Sequence, residues 1–137
     1  MKKKRALFLC AGNSCCSQIA EGLIRSMAGD RFEVFSAGVS PAGVNPYAVQ
    51  VMAEMSIDIS HHTSDSITQY LHDTFDYIIT VCDYAQQVCP VFPGKYKKIH
   101  WNIEDPVCAG ETEEERLNIF RKTRDTIKSC INNFISE

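Results

Sequence analysis

With 137 residues, a net charge of −3, and 45% hydrophobic against 23% charged residues, the chain has the size and balance of one folded domain, residues 1–137, that buries a core without staples. The mild negative charge gives no reason to expect nucleic acid as a partner, and no stretch approaches the roughly 18 apolar residues of a membrane span. The basic lead-in, residues 1–5, is followed by too short an apolar stretch for a secretion signal, so the expected location is the cytoplasm.

Residues 6–10 form a short continuous apolar run, as in a strand buried on both faces. Residues 11–14 break it. From Ser17 onward Ile19, Ala20, Leu23, Ile24 and Met27 recur at helical spacing until Gly29. Alternation over residues 32–36 predicts a second strand. Gly38, Pro41 and Gly43 make the next stretch a loop. Asn45 then reads as the N-cap and Pro46 as the first residue of a helix running to about Met55. Residues 60–64 are a polar loop and 66–72 a short helix. Residues 75–81 are a third buried strand with Cys82 at its end, and residues 83–94, with Pro90, Pro93 and Gly94, read as irregular. Residues 98–101 form a fourth, short strand. Thr112 and Glu115 make a capping box that opens a last helix, its inner face carrying Leu117, Phe120, Ile127, Ile131 and Phe134. Strands alternating with helices predict an α/β domain, a parallel sheet covered on both sides. Ligands in such folds gather at the carboxyl ends of strands, where Cys10, Ser36, Cys82 and the turn before Asp105 all fall.

Seven cysteines, Cys10, Cys15, Cys16, Cys82, Cys89, Cys108 and Cys130, are a high and odd count. Without a secretion signal a disulfide framework is not expected. Cys15 and Cys16 are adjacent, and Cys82 and Cys89 are spaced too widely for a zinc knuckle. Redox or nucleophilic chemistry is what remains. The segment Cys10-Ala-Gly-Asn-Ser-Cys-Cys-Ser17 runs from a strand end to a helix start. The backbone N–H groups of Ala11, Gly12, Asn13, Ser14, Cys15, Cys16 and Ser17 are predicted to converge, with the helix dipole, on a concavity that fits a tetrahedral oxyanion. Gly12 tolerates unusual backbone angles and Asn13 the left-handed region. The same field is expected to hold Cys10 as a thiolate, because cysteines at helix N-termini titrate at roughly 3.5–7.5 rather than about 8.5. Ser17 is placed to donate to that sulfur. Seven residues of regular helix rise about 10 Å, whereas a disulfide needs Cα atoms within about 7 Å. Cys82 and Cys89 therefore bridge only if residues 83–89 are looped or unwind. Spacing alone leaves a functional pair and two unrelated thiols level. Asp105 before Pro106 is, on its own, a turn initiator.

The run Leu9-Cys-Ala-Gly-Asn-Ser-Cys15 with Ser17-Gln-Ile-Ala-Glu-Gly22 resembles the active-site loop of thioredoxin-coupled arsenate reductases, which share the low-molecular-weight tyrosine phosphatase fold. Ser36-Ala-Gly38, Val44-Asn-Pro46, Ile57-Asp-Ile-Ser60, His62-Thr-Ser-Asp65, Cys82 with Cys89, and Asp105-Pro106 extend the likeness over nearly the whole chain. The resemblance implies three layers, with a four-stranded parallel sheet in the order 2-1-3-4 and helices on both faces. One position departs from it. The family loop is Cys-x5-Arg, and Cys16 stands where that arginine belongs. Arginine supplies a planar fork of charged donors. Losing one preorganised donor costs about 2.7–4 kcal/mol, or about 10²–10³ in rate. The site is thus expected to be built for oxyanions but weakened.

The resemblance also implies roles. Cys10 attacks arsenate, and Asp105 protonates the departing oxygen as general acid. Cys82 attacks Cys10 as arsenite leaves, Cys89 attacks Cys82, and thioredoxin reduces the resulting disulfide. No flavin, nicotinamide or redox metal is required. Asn13, Glu21, Ser36 and Asp65 match a potassium site in one branch of these reductases. His62 is either a residue that tunes Cys82 or a structural histidine. Cys10 and Cys15 match a pairing that some phosphatase relatives use to protect the nucleophile, with Cys16 adjacent; inert neighbours are the equal alternative. Cys108 and Cys130 look incidental. Two other functions stay open. One is phosphomonoester hydrolysis, against which stand Val107 and Cys108, where the phosphatases carry tyrosines. The other is a non-catalytic thiol sensor or arsenite binder using Cys10, Cys15 and Cys16. A monomer is expected.

Overall fold

The computed structural model describes residues 3–104, 106 and 110–136. Its central strand, β1 (Lys4–Cys10), explains why residues 6–10 are apolar without alternation. Ala6 and Phe8 face one core and Leu7 and Leu9 the other. Strand β2 (Phe32–Gly38) pairs parallel on one side of β1, from Lys4 with Phe32 to Cys10 with Gly38. Strand β3 (Tyr77–Thr80) pairs on the other side, and β4 (Lys97–His100) pairs with β3. The order is therefore β2-β1-β3-β4, all parallel, as the resemblance implied.

Helices α1 (Cys16–Ala28), α2 (Pro46–Ala53) and α4 (Glu113–Ile135) cover one face. A short helix, α3 (Asp83–Val88), and a 3₁₀ turn over Ile67–Tyr70 lie on the other. Phe120, Ile127 and Ile131 of α4 are buried, each contributing about 1.5–3 kcal/mol by leaving water. The caps follow the sequence. Asn45 Oδ1 accepts from the Tyr47 amide, and Thr112 Oγ1 accepts from the Glu115 amide. The Glu115 carboxylate reaches back to the Glu111 amide. Among the described residues no helix is long and apolar enough to cross a membrane.

Two expectations change. The α2 helix ends at Ala53 rather than near Met55, because Met52 O takes the Met55 and Ile57 amides in a turn and Ser56 adopts a left-handed φ of 61°. Residues 83–88, expected to be irregular, form α3. Its start is stabilised by the Cys82 sulfur, which accepts from the Ala85 amide at 3.3 Å. Across the α2–α4 junction, Glu54 at the end of α2 meets Arg121 at 2.7 Å and Arg124 at 2.9 Å. The two guanidiniums hold its carboxyl at about 2.

Candidate active site

The loop after β1 turns its amides inward because its carbonyls are all engaged elsewhere. The amides of Val39, Ser40, Ala42 and Asn45 donate to the oxygens of Cys10, Ala11, Gly12 and Ser14. Asn13 O accepts from Ser64 Oγ at 2.9 Å and from Gln18 Nε2 at 3.0 Å. With every carbonyl between residues 10 and 14 held by a flanking segment, the peptide N–H groups face the opposite way. Asn13 makes the turn possible, with a left-handed φ of 47° that asparagine tolerates better than most residues.

The Cys10 sulfur sits in this concavity. The Asn13 amide donates to it at 3.1 Å, and Ser17 Oγ lies 2.9 Å away. Ser17 Oγ also accepts from Asn13 Nδ2 at 2.8 Å, which leaves its own proton directed at Cys10. The sequence predicts a lowered pKa here, and the balance in the structure runs the other way. Burial pushes the Cys10 thiol above its ordinary value. The Ser17 hydroxyl and the amides of Ser17, Asn13 and Ser14 pull it down but do not overcome that burial. Desolvation is what raises it, and at position 16, where a guanidinium would oppose that burial, stands the buried Cys16.

A cavity of about 390 Å³ opens over the loop, lined among others by Cys10, Cys15, Cys16, Asn45 and Cys82. Cys82, at the end of β3, is therefore brought to the same space as Cys10. Cys89 is not brought to Cys82. The two are the caps at opposite ends of α3, so about 10 Å of helical rise separates them, and a disulfide requires that helix to unwind. Burial raises the Cys89 pKa, partly opposed by Lys98. Asp105 and Cys108 lie outside the described residues. Cys130 is half-buried on α4, away from this cavity.

Asn13, Glu21, Ser36 and Asp65 do meet, behind the loop. Asn13 Nδ2 donates to Ser36 Oγ at 2.9 Å, Ser36 Oγ donates to Glu21 Oε1 at 2.6 Å, and the Asp65 amide donates to Asn13 Oδ1 at 2.7 Å. The second Glu21 oxygen lies 3.1 Å from Arg25. These residues fit potassium poorly. The Asn13, Ser36 and Glu21 oxygens are engaged within the cluster, the Asp65 carboxylate accepts from Thr63 Oγ1, and Arg25 already supplies the positive charge that Glu21 attracts. His62 belongs to this cluster as a structural histidine. Gln18 Nε2 donates to two carbonyls, Asn13 O and Thr63 O, so its Oε1 accepts from His62 Nδ1 at 3.0 Å. Burial lowers the His62 pKa more than Glu21 raises it.

Three contributors escape a sequence reading. Gln18 is fully buried and ties the loop to residue 63, though its helical position alone reads as a solvated residue. The Ser64 hydroxyl donates to both Gly12 O and Asn13 O. Gly38 reads as a loop glycine, yet a Cβ there would stand 2.6 Å from Asn13 N and 2.8 Å from Gly12 C. Its missing side chain is what lets the loop lie on β2.

Comparison with known proteins agrees with this geometry. Residues 5–137 match the family described as low molecular weight phosphotyrosine protein phosphatase. An arsenate reductase of Halalkalibacterium halodurans is 46% identical over 134 residues, which is 98% of this chain and 96% of that protein. A solved arsenate reductase in an oxidized state superposes with a TM-score of 0.84 at 31% identity, covering 97% of each chain. The thioredoxin-dependent arsenate reductase of Corynebacterium glutamicum superposes at 0.71 with 29% identity, covering 98% of this chain and 64% of that one.

Proposed function

The chain belongs to the low molecular weight phosphotyrosine protein phosphatase family, and we propose that it is a thioredoxin-dependent arsenate reductase whose turnover is limited by Cys16. The observation that carries this reading is the placing of Cys10 and Cys82 on one cavity above inward-facing loop amides. An oxyanion needs the amides, and removal of arsenite needs the second thiol. A hydrolase needs no Cys82.

In the proposed sequence Cys10 attacks arsenate and forms a sulfur–arsenic bond, and Asp105 gives a proton to the oxygen that leaves as water. Cys82 attacks the Cys10 sulfur. The electron pair of the sulfur–arsenic bond goes to arsenic, which departs as arsenite, and a Cys10–Cys82 disulfide remains. Cys89 then attacks Cys82, freeing Cys10, and a thioredoxin dithiol reduces the Cys82–Cys89 disulfide. The last exchange draws on the unwinding of α3, a helix of six residues, short enough to be marginal without its caps. Among the described residues the large hydrophobics that stand exposed are Tyr84, Val88 and Val91. All lie on or just beyond the segment from Cys82 to Cys89, where a protein reductant has to dock.

The test is arsenate-dependent turnover coupled to thioredoxin, with p-nitrophenyl phosphate hydrolysis run in parallel. Cys82→Ser is expected to abolish arsenate turnover while leaving any phosphate hydrolysis intact. Arsenate turnover that survives in Cys82→Ser would refute the relay.

A further inference from the structure

The relay leaves Cys15 and Cys16 without a part, and both are buried residues lining the cavity that holds Cys10 and Cys82. Four cysteines therefore line one space, and among the described residues its lining includes no acidic, basic or histidine side chain. With the loop amides but no paired cation, such a lining holds a dianion weakly. It costs little for a neutral trivalent oxyacid, whose central atom is soft and seeks sulfur.

We propose that Cys10 and Cys16 together capture a trivalent, thiophilic oxyacid of the arsenous type, a binding function of this cavity that stands whether or not the chain turns over arsenate. Arsenous acid exchanges two hydroxyls for two sulfurs: As(OH)3 and two thiols give As(OH)(SR)2 and two waters. Two arsenic–oxygen bonds break and two arsenic–sulfur bonds form. The thiol protons leave in the water, and arsenic stays trivalent, so no oxidant or reductant enters. The equation starts from thiols, the form that burial favours at Cys10. The chelate closes in steps. After the first bond at Cys10, the second thiol adds within the chain at high effective concentration, across five intervening residues. Cys16, buried at the start of α1 and lining the same cavity as Cys10, is that second thiol.

The experiment adds one equivalent of sodium arsenite to the reduced full-length chain, then iodoacetamide, and maps the alkylated cysteines by peptide mass spectrometry. Alkylation of Cys10 and Cys16 is expected to slow together by at least about tenfold and to recover on adding dimercaptopropanol. Cys16→Ser is expected to weaken arsenite binding by at least about tenfold, and Cys82→Ser to leave Cys10 and Cys16 protected. Protection confined to Cys82 and Cys89, or to Cys10 and Cys15, overturns the proposal. So does a Cys16→Ser chain that binds arsenite within about twofold of the parent. Circular dichroism checks the folding of that variant. The mapping on the unaltered chain decides the question without it, and no turnover measurement enters.

Discussion

Replacing Cys16 with arginine is the most direct probe of what this loop lacks. Position 16 is the first residue of α1, 6% exposed, beside a cavity with space for a longer side chain. A guanidinium about 4–6 Å from the Cys10 sulfur, at an effective dielectric of about 20, would favour the thiolate by about 3–4 kcal/mol. At about 1.36 kcal/mol per unit that lowers the pKa by about 2–3 units. That lowering would oppose the raise that burial now imposes on Cys10. The same fork would grip the oxyanion, adding about 10²–10³ in catalytic efficiency. The assays are the pH dependence of Cys10 alkylation and kcat/KM for arsenate with thioredoxin, each on Cys16→Arg against the parent. A pKa change under about half a unit together with kcat/KM within about twofold would show that another group already does the arginine's work.

Gly38→Ala is expected to displace the loop, since the new methyl would stand 2.6 Å from Asn13 N. A loss of about 1–3 kcal/mol in urea melts should accompany weakened oxyanion binding, and an unchanged sulfate affinity would contradict the close approach. Raising the pH should destabilise the fold, because burial holds the Cys10, Cys89 and Cys130 thiols above their ordinary 9.0. The unfolded chain releases those protons first, so stability is full below about pH 9 and falls above it; a urea midpoint that does not move between about pH 8 and pH 10 refutes the sign. Glu54→Gln should cost at most about 1 kcal/mol, because its ion pairs are partly exposed. In the parent, the Glu54 contribution should be full above its ordinary 4.5 and fade progressively as the pH falls from there toward about 2. Thermal melts across acid pH compare the two.

Much of this protein was legible in its sequence because the deciding interactions are local. Asn45 and Thr112 cap their own helices through side chains that reach only two or three residues. The residue 10–17 loop declares itself through Gly12, Asn13 and Ser17, whose backbone or hydroxyl properties act within one turn. The parallel sheet followed from alternating strands and helices, and the resemblance supplied its order. Other features rest on contacts between distant segments. The α3 helix depends on the Cys82 sulfur as cap, whereas Pro90, Pro93 and Gly94 made the whole stretch look irregular. Gly38 is set by a loop more than twenty residues away pressing on it, and Gln18 by carbonyls it meets only after folding. The four residues that the resemblance matched to a potassium site gather, but Arg25, one turn along α1, already pairs with Glu21. Cys10 shows the division most plainly. The sequence by itself determined the donors around its sulfur, because they are neighbours in the chain. Only the tertiary structure decided that the sulfur is buried deeply enough to outweigh them, because desolvation depends on every segment that closes over it.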